Sequence, residues 1–177
     1  MAAIMPTIMA VMPTAPPVPV GQSVTLSQSD LNGRWDGYLT FDSVKLTSGT
    51  AEEQKACDDQ LALIKGRQLP SGMKFDPTAS DSGDVTMINK ETNAQGTTSE
   101  TEGDTSPYTY KGGTLTINTS DAESTTVLEG KALRTDSGFA IVGTWNATTA
   151  DLNVASTGAG DKKPAVISGT WIMRKAR

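Results

Sequence analysis

The side chains of this chain that could do chemistry are few in kind: twenty carboxylates, the tyrosines Tyr38, Tyr108 and Tyr110, and a single thiol, Cys57. Histidine is absent. Without imidazole, neither a Ser-His-Asp triad nor a Cys-His pair can activate a nucleophile, and no His-ligated zinc site can form. One cysteine excludes an intrachain disulfide and thiolate metal clusters. The carboxylates Asp58 and Asp59 beside Cys57 raise its pKa and disfavour the thiolate, so Cys57 reads as a small packing residue on a helix face. Among the carboxylates, Asp36 and Asp42 fall on the polar side of a strand pattern, and Asp81 and Asp84 fit a hairpin turn. Glu100, Glu102 and Asp104 could hold a calcium ion loosely, but they lack the spacing and glycine of an EF-hand loop. The tyrosines could donate hydrogen bonds to a bound molecule; as amphipathic side chains they suit an interface or rim better. These residues therefore assign no catalytic group, no metal ligand and no cofactor, and the chain leans away from being an enzyme.

The elements that would position such groups are marked by tryptophan. Each of the three tryptophans follows a glycine by two: Gly33-Arg34-Trp35, Gly143-Thr144-Trp145 and Gly169-Thr170-Trp171. Residues two apart share one face of a strand, so each glycine is expected to leave a gap over which its own indole lies. Three such units predict strands that meet in one closed or packed sheet. Abundant Thr, Ser and Gly, with only 5% aromatic residues, favour strands and turns over helices. Around the first unit Leu31, Gly33, Trp35, Gly37, Leu39 and Phe41 alternate with Asn32, Arg34, Asp36, Tyr38 and Thr40. Later, Phe139, Ile141, Gly143, Trp145 and Ala147 share a face, as do Ile167, Gly169, Trp171 and Met173 in the last strand.

One helix interrupts this pattern. Thr50 and Glu53 form a capping-box signature, Cys57, Leu61 and Ile64 recur at helical spacing, and Gly66 suits the position after the end, which predicts a helix over 51–65. Hairpins are expected from 73–77 with 84–91, from 108–111 with 114–119 around Gly112-Gly113, and from 125–134 with 139–149. A short strand is expected at 151–155, and the polar stretches 93–106 and 156–163 read as surface loops, the first long and mobile. Eight or nine antiparallel strands joined mostly in sequence close most economically into a barrel, which removes exposed edges. The expected fold is all-β: a single antiparallel up-and-down β-barrel of about eight strands with one short α-helix after the first strand.

Residues 1–25 read as a separate apolar, Pro-rich segment and 26–177 as the barrel domain. The first charged residue is Asp30, and Pro6, Pro13, Pro16, Pro17 and Pro19 break the apolar start into pieces too short to span a membrane. Three readings compete for this segment: the remnant of a secretory signal, an extended linker, or an arm that docks on a protein partner. The first two place the domain outside the cytoplasm, periplasmic or secreted. A net charge of −5 without a Lys/Arg cluster argues against nucleic acid, and the basic tail Arg174, Lys175 and Arg177 reads as a solvated strand end.

The phrases around Gly33-x-Trp35 (Leu31 to Phe41) and Gly169-x-Trp171 (Ile167 to Arg174) resemble small bacterial lipocalin-like domains of the calycin superfamily. That resemblance implies an exported barrel in which an Arg covers the first Trp, for which Arg134 and Arg174 are the candidates. There are departures: Thr135-Asp136 is followed by Ser137 rather than the Tyr of the lipocalin motif, and the helix follows the first strand instead of the last. Avidin-like barrels also open with Gly-x-Trp, but Gly37 and Phe41 stand where they need hydrogen-bonding side chains, which argues against a biotin site.

The leading functional expectation is a non-enzymatic binding module for a small apolar molecule, its interior lined by Trp35, Leu39, Phe41, Phe139, Ile141, Trp145, Ile167, Trp171 and Met173. The alternative is a structural or interaction protein with a filled barrel and the N-terminal segment as docking arm. The third is a barrel-type cyclase or an enzyme inhibitor. Interior volume separates the first two.

Overall fold

The computed structural model describes residues 12–93, 95–153 and 162–176. Its strands in chain order are β1 (Gln22–Ser23), β2 (Gly33–Leu39), β3 (Ser43–Leu46), β4 (Leu69–Ala79), β5 (Ser82–Thr92), β6 (Thr98–Lys111), β7 (Thr114–Ser120), β8 (Ser124–Thr135), β9 (Gly138–Asn153) and β10 (Lys162–Lys175). Two helices, α1 (Gln28–Leu31) and α2 (Ala51–Ile64), flank the first long strands. The pairing runs β2-β4-β5-β6-β7-β8-β9-β10 and returns to β2, every pair antiparallel. This is a closed eight-stranded antiparallel barrel, as the alternation patterns require. β3 continues the line of β2 along β10, and β1 extends the sheet beside β8.

Local chemistry explains most boundaries. Thr50 accepts from the Glu53 backbone N–H at 3.2 Å while Glu53 accepts from the Thr50 N–H at 2.7 Å, the reciprocal pair that starts α2. Gly66, at φ 76°, ends it. Cys57 and Leu61 are buried, as their spacing implies, and Glu53 is buried with them. Gly112 and Gly113, at φ 58° and 78°, form the two-residue turn between β6 and β7 that requires positive φ at both central residues.

Besides β1 and β3, which the sequence pattern does not mark, three elements depart from it. α1 was not expected; its signal is a second capping box, Ser27 with Asp30. Residues 98–106, read as loop, are strand: β6 pairs with β5 from Thr92↔Thr98 to Ser82↔Thr109. Apolar alternation is missing because residues 98–102 are exposed on both faces of the ribbon; the β-branched threonines and the partner strand are what make them extended. Finally, residues 151–153 belong to β9 rather than to a separate strand, with Val154 and Ala155 outside the described residues.

The edge of β3 facing away from β10 has no strand partner among the described residues, and a side chain takes its place. Gln54 of α2 donates to the Val44 carbonyl at 2.9 Å and accepts from the Leu46 N–H at 2.9 Å. Its amide thus completes the ladder that a further strand would supply. Glu53 adds a 3.3 Å ion pair to Lys163 on β10, so α2 is fastened to the outside of the barrel by polar contacts.

Candidate functional site

All nine residues expected inside the barrel come together. Trp35, Ile141, Trp145, Trp171 and Met173 belong to the buried cluster, and Leu39, Phe41, Phe139 and Ile167 pack against it half-buried. Sequence reasoning missed the other half of that interior: Met73 and Phe75 on β4, Val85 on β5, Tyr108 and Tyr110 on β6, Leu115 and Ile117 on β7, and Leu128 and Ala132 on β8. Alternation within those strands would have found most of them once the strands were registered.

The tryptophans are not arranged as the Gly-x-Trp spacing suggested. β9 and β10 pair so that Gly143 opposes Trp171 and Trp145 opposes Gly169. Each glycine therefore makes room for the tryptophan of the other strand. A Cβ on Gly143 would lie 2.5 Å from Trp171 Nε1, and one on Gly169 would lie 2.5 Å from Trp145 Nε1. Each indole crosses the neighbouring strand at its glycine and bonds beyond it: Trp171 donates to the Glu129 carbonyl on β8 at 3.1 Å, and Trp145 to the Thr40 carbonyl at 3.0 Å. The first unit works differently. Gly33, at φ 97°, turns the chain from α1 into β2. Trp35 packs edge-on to Phe75 with centroids 6.3 Å apart and donates to the Leu31 carbonyl at 2.8 Å.

α1 closes one end of the barrel. Lys175 Nζ lies 5.4 Å from the centroid of Trp35 and donates to the Asp30 carbonyl at 2.6 Å and to that of Asn32. Burial holds its ammonium below the ordinary lysine range, with Asp30 opposing that shift. The cation over the first Trp is thus Lys175, and neither Arg134 nor Arg174 takes that place. Arg134 sits 5.0 Å from the Phe139 ring. Parity gives the signal that was overlooked: Lys175 shares the inward phase of Trp171 and Met173, and Arg174 has the outward one. Tyr110 hydroxyl accepts from the Leu26 N–H at 2.8 Å and ties the approach to α1. Tyr108, edge-on to Phe75 at 5.3 Å, has its hydroxyl pushed up to about 12 by burial and by the charges of Asp76 and Asp84.

The interior is filled. Trp35, Trp171, Phe75, Met73, Leu115, Ile117, Ile141, Met173 and Val85 each retain under 2% exposure. A cavity of about 10 Å³ lies between α1 and the β4–β5 turn, bounded among others by Leu26, Ser82, Tyr108 and Tyr110, room for one water. Outside it, an open polar groove of about 190 Å³ runs past Gln28, Ser29, Asn32, Asp76 and Pro77. Toward the end opposite α1, Leu39, Phe41, Met87, Ala147 and Ile167 form a half-buried apolar rim above Trp145, with Phe41 edge-on to that indole at 5.3 Å.

On the outer wall, carboxylates are matched by cations. Asp36 on β2 reaches Arg34 at 2.9 Å and Lys90 of β5 at 2.6 Å, and Glu100 of β6 meets Arg34 at 2.6 Å and Lys90 at 3.3 Å. Asp36 and Lys90 meet over Gly72 on the intervening strand. Burial would raise the Asp36 pKa, but the hydrogen bonds from Arg34 and Lys90 outweigh it and hold the carboxyl below its ordinary range. A register shift in the β5–β6 ladder, between Thr86↔Thr105 and Ile88↔Glu102, swings Glu100 and Glu102 to this face. The acids read as loose calcium ligands are therefore spread along a strand, with Glu100 ion-paired and Glu102 at 4.0 Å from Lys74. Among the described residues, no group of three or more Asp, Glu or Cys is placed to hold a metal ion. The Cys57 thiol is pushed up by burial first, then by Asp58 and Glu53.

The N-terminal segment, where described, lies on the outer wall. Ala15 N–H donates to the Gly66 carbonyl at 2.8 Å, Gln68 N–H to Pro13 at 2.9 Å and Tyr38 hydroxyl to Pro16 at 3.0 Å, while Met12 is buried. No described helix is long and apolar enough to cross a membrane.

These features define the class as a closed eight-stranded antiparallel β-barrel. No protein-family model and no curated protein matches the chain. Among solved structures, a redesigned beta barrel aligns with 88% of this chain and 100% of its own, at 16% identity and a TM-score of 0.37.

Proposed function

We propose that this chain is a non-enzymatic structural or interaction module built on a filled barrel, its outer surface rather than its interior meeting other molecules. The observation that carries this reading is the packed core: nine large side chains inside the barrel each keep under 2% exposure, and the cavity at the α1 end measures only about 10 Å³. A ligand site for a drug-sized molecule spans about 300–1,000 Å³. We further propose that the module is exported and of lipocalin-like plan. Its support is the pair of strands carrying Gly33-x-Trp35 and Gly169-x-Trp171 and a cation over the first tryptophan, with Lys175 standing where the resemblance implies an Arg. The position of α2 after the first strands remains a departure from that plan.

A second reading keeps the small apolar ligand. Its support is the half-buried rim of Leu39, Phe41, Met87, Ala147 and Ile167, which could take one end of such a molecule above Trp145. Titration of the chain with a solvatochromic apolar dye separates the two. The filled-barrel reading expects no saturable binding and an unmoved Trp emission. Saturable binding that Trp145→Ala abolishes would replace it with the ligand reading.

A further inference from the structure

The wall of the barrel is zipped over only four residue pairs between β6 and β7, Tyr108↔Ile117 to Lys111↔Thr114. The cause is in the backbone. Tyr110 N–H donates to Asp81 beside β5, so by alternation Lys111, Thr109 and Pro107 aim their main-chain groups at β7. Proline has no N–H. The ladder loses its donor at Pro107, and the two strands separate there. From Thr98 to Ser106, β6 pairs with β5 alone among the described residues. That leaves roughly 30 Å of strand with one unpaired edge.

Charge restricts what can pair with it. Glu102 and Asp104 stand on the β6 side, and Asp121 and Glu123 follow β7 across the gap. On the β6 side the cations Arg34 and Lys90 meet Glu100 and Lys74 lies 4.0 Å from Glu102, all on the barrel side of the ribbon, while across the gap Lys162 is close enough to Glu123 to feel its charge. A second copy adding antiparallel about a two-fold axis would set like-facing residues opposite each other, Glu100 and Glu102 against the same acids. Like charges directly opposite destabilise a sheet. A strand with cations at every second residue meets no such penalty.

We infer that the open edge of β6, residues 98–106, is a strand-addition site for an extended peptide segment carrying Lys or Arg at alternate positions. The inference deepens the interaction reading above and rests on it. Main-chain hydrogen bonds supply the attachment, and the acids on both sides of the seam select the partner and exclude self-association.

The probe is an acetylated, amidated octapeptide of alternating Lys and Val, added to the isotope-labelled full chain. The expected result is amide shift changes and slowed hydrogen exchange confined to residues 98–106. N-methylation of the peptide along one edge should abolish binding and along the other preserve it. The exposed pair Glu102→Lys and Asp104→Lys should weaken binding about tenfold or more while circular dichroism stays unchanged, a loss of about 1.4 kcal/mol. Absence of any shift, or shifts that survive methylation of either edge, would overturn the inference and leave the acids as guards against edge pairing alone. Either failure leaves the dye experiment on the interior unaffected, so the two readings fail separately.

Discussion

Gly143→Ala is the most informative single change, because two arguments about the same glycine lead to different tryptophans. A methyl at this position would lie 2.5 Å from Trp171 Nε1 and 2.6 Å from Gly130 Cα, and would overlap the Glu129 carbonyl oxygen. The indole and the β8 backbone must both give way. Overpacking costs about 1–3 kcal/mol. Displacing the indole also strains the single N–H that Trp171 shares between the Glu129 and Thr144 carbonyls, at 3.1 and 3.2 Å, worth about 1 kcal/mol in all. A total of about 2–4 kcal/mol lowers the melting temperature of a chain this long by roughly 5–15 °C. The decisive measurement is a pair of double-mutant cycles by urea unfolding. Gly143→Ala should couple to Trp171→Phe by at least about 1 kcal/mol and to Trp145→Phe by close to nothing, since contacting residues couple and others add. Gly169→Ala should show the reverse preference. Coupling of Gly143 to Trp145 instead, or a melting temperature left in place, would refute the crossed arrangement.

Gln54→Ala removes the amide that completes the β3 edge, so Leu46 N–H should exchange faster and stability should fall by about 1–3 kcal/mol; unchanged exchange at Leu46 would mean that the edge is protected by something else. Deleting residues 1–20 should leave cooperative unfolding intact but lower stability by about 2–4 kcal/mol, from burial of Met12 and the lost hydrogen bonds at Tyr38, Gly66 and Gln68; loss of the cooperative transition would place this segment within the core. For Tyr108 the folded hydroxyl sits at about 12 against an ordinary 10.0. Its folded pKa is the higher one, so its contribution is complete below pH 10 and is lost as pH rises toward 12. Urea midpoints across that window should fall less steeply for Tyr108→Phe than for the parent chain, and parallel slopes would contradict the assignment.

The local rules act where a residue's neighbours in the chain supply the physics. The capping box of Thr50 and Glu53, the two glycines of the β6–β7 turn and the period-2 faces around Trp35, Trp145 and Trp171 were legible in the sequence, and with them the barrel and its buried tryptophans. Alternation alone also places Lys175 inward. What the sequence could not carry is which strand lies beside which, in what register. Only registration of β9 on β10 assigns Gly143 to Trp171 and Gly169 to Trp145. Only the presence of β5 makes a strand of the polar residues 98–106, and only the shifted ladder brings Glu100 to Arg34 and Lys90. The filling of the interior is likewise a tertiary property. It depends on how side chains from eight strands interdigitate, a sum over residues far apart in the chain that no local pattern encodes.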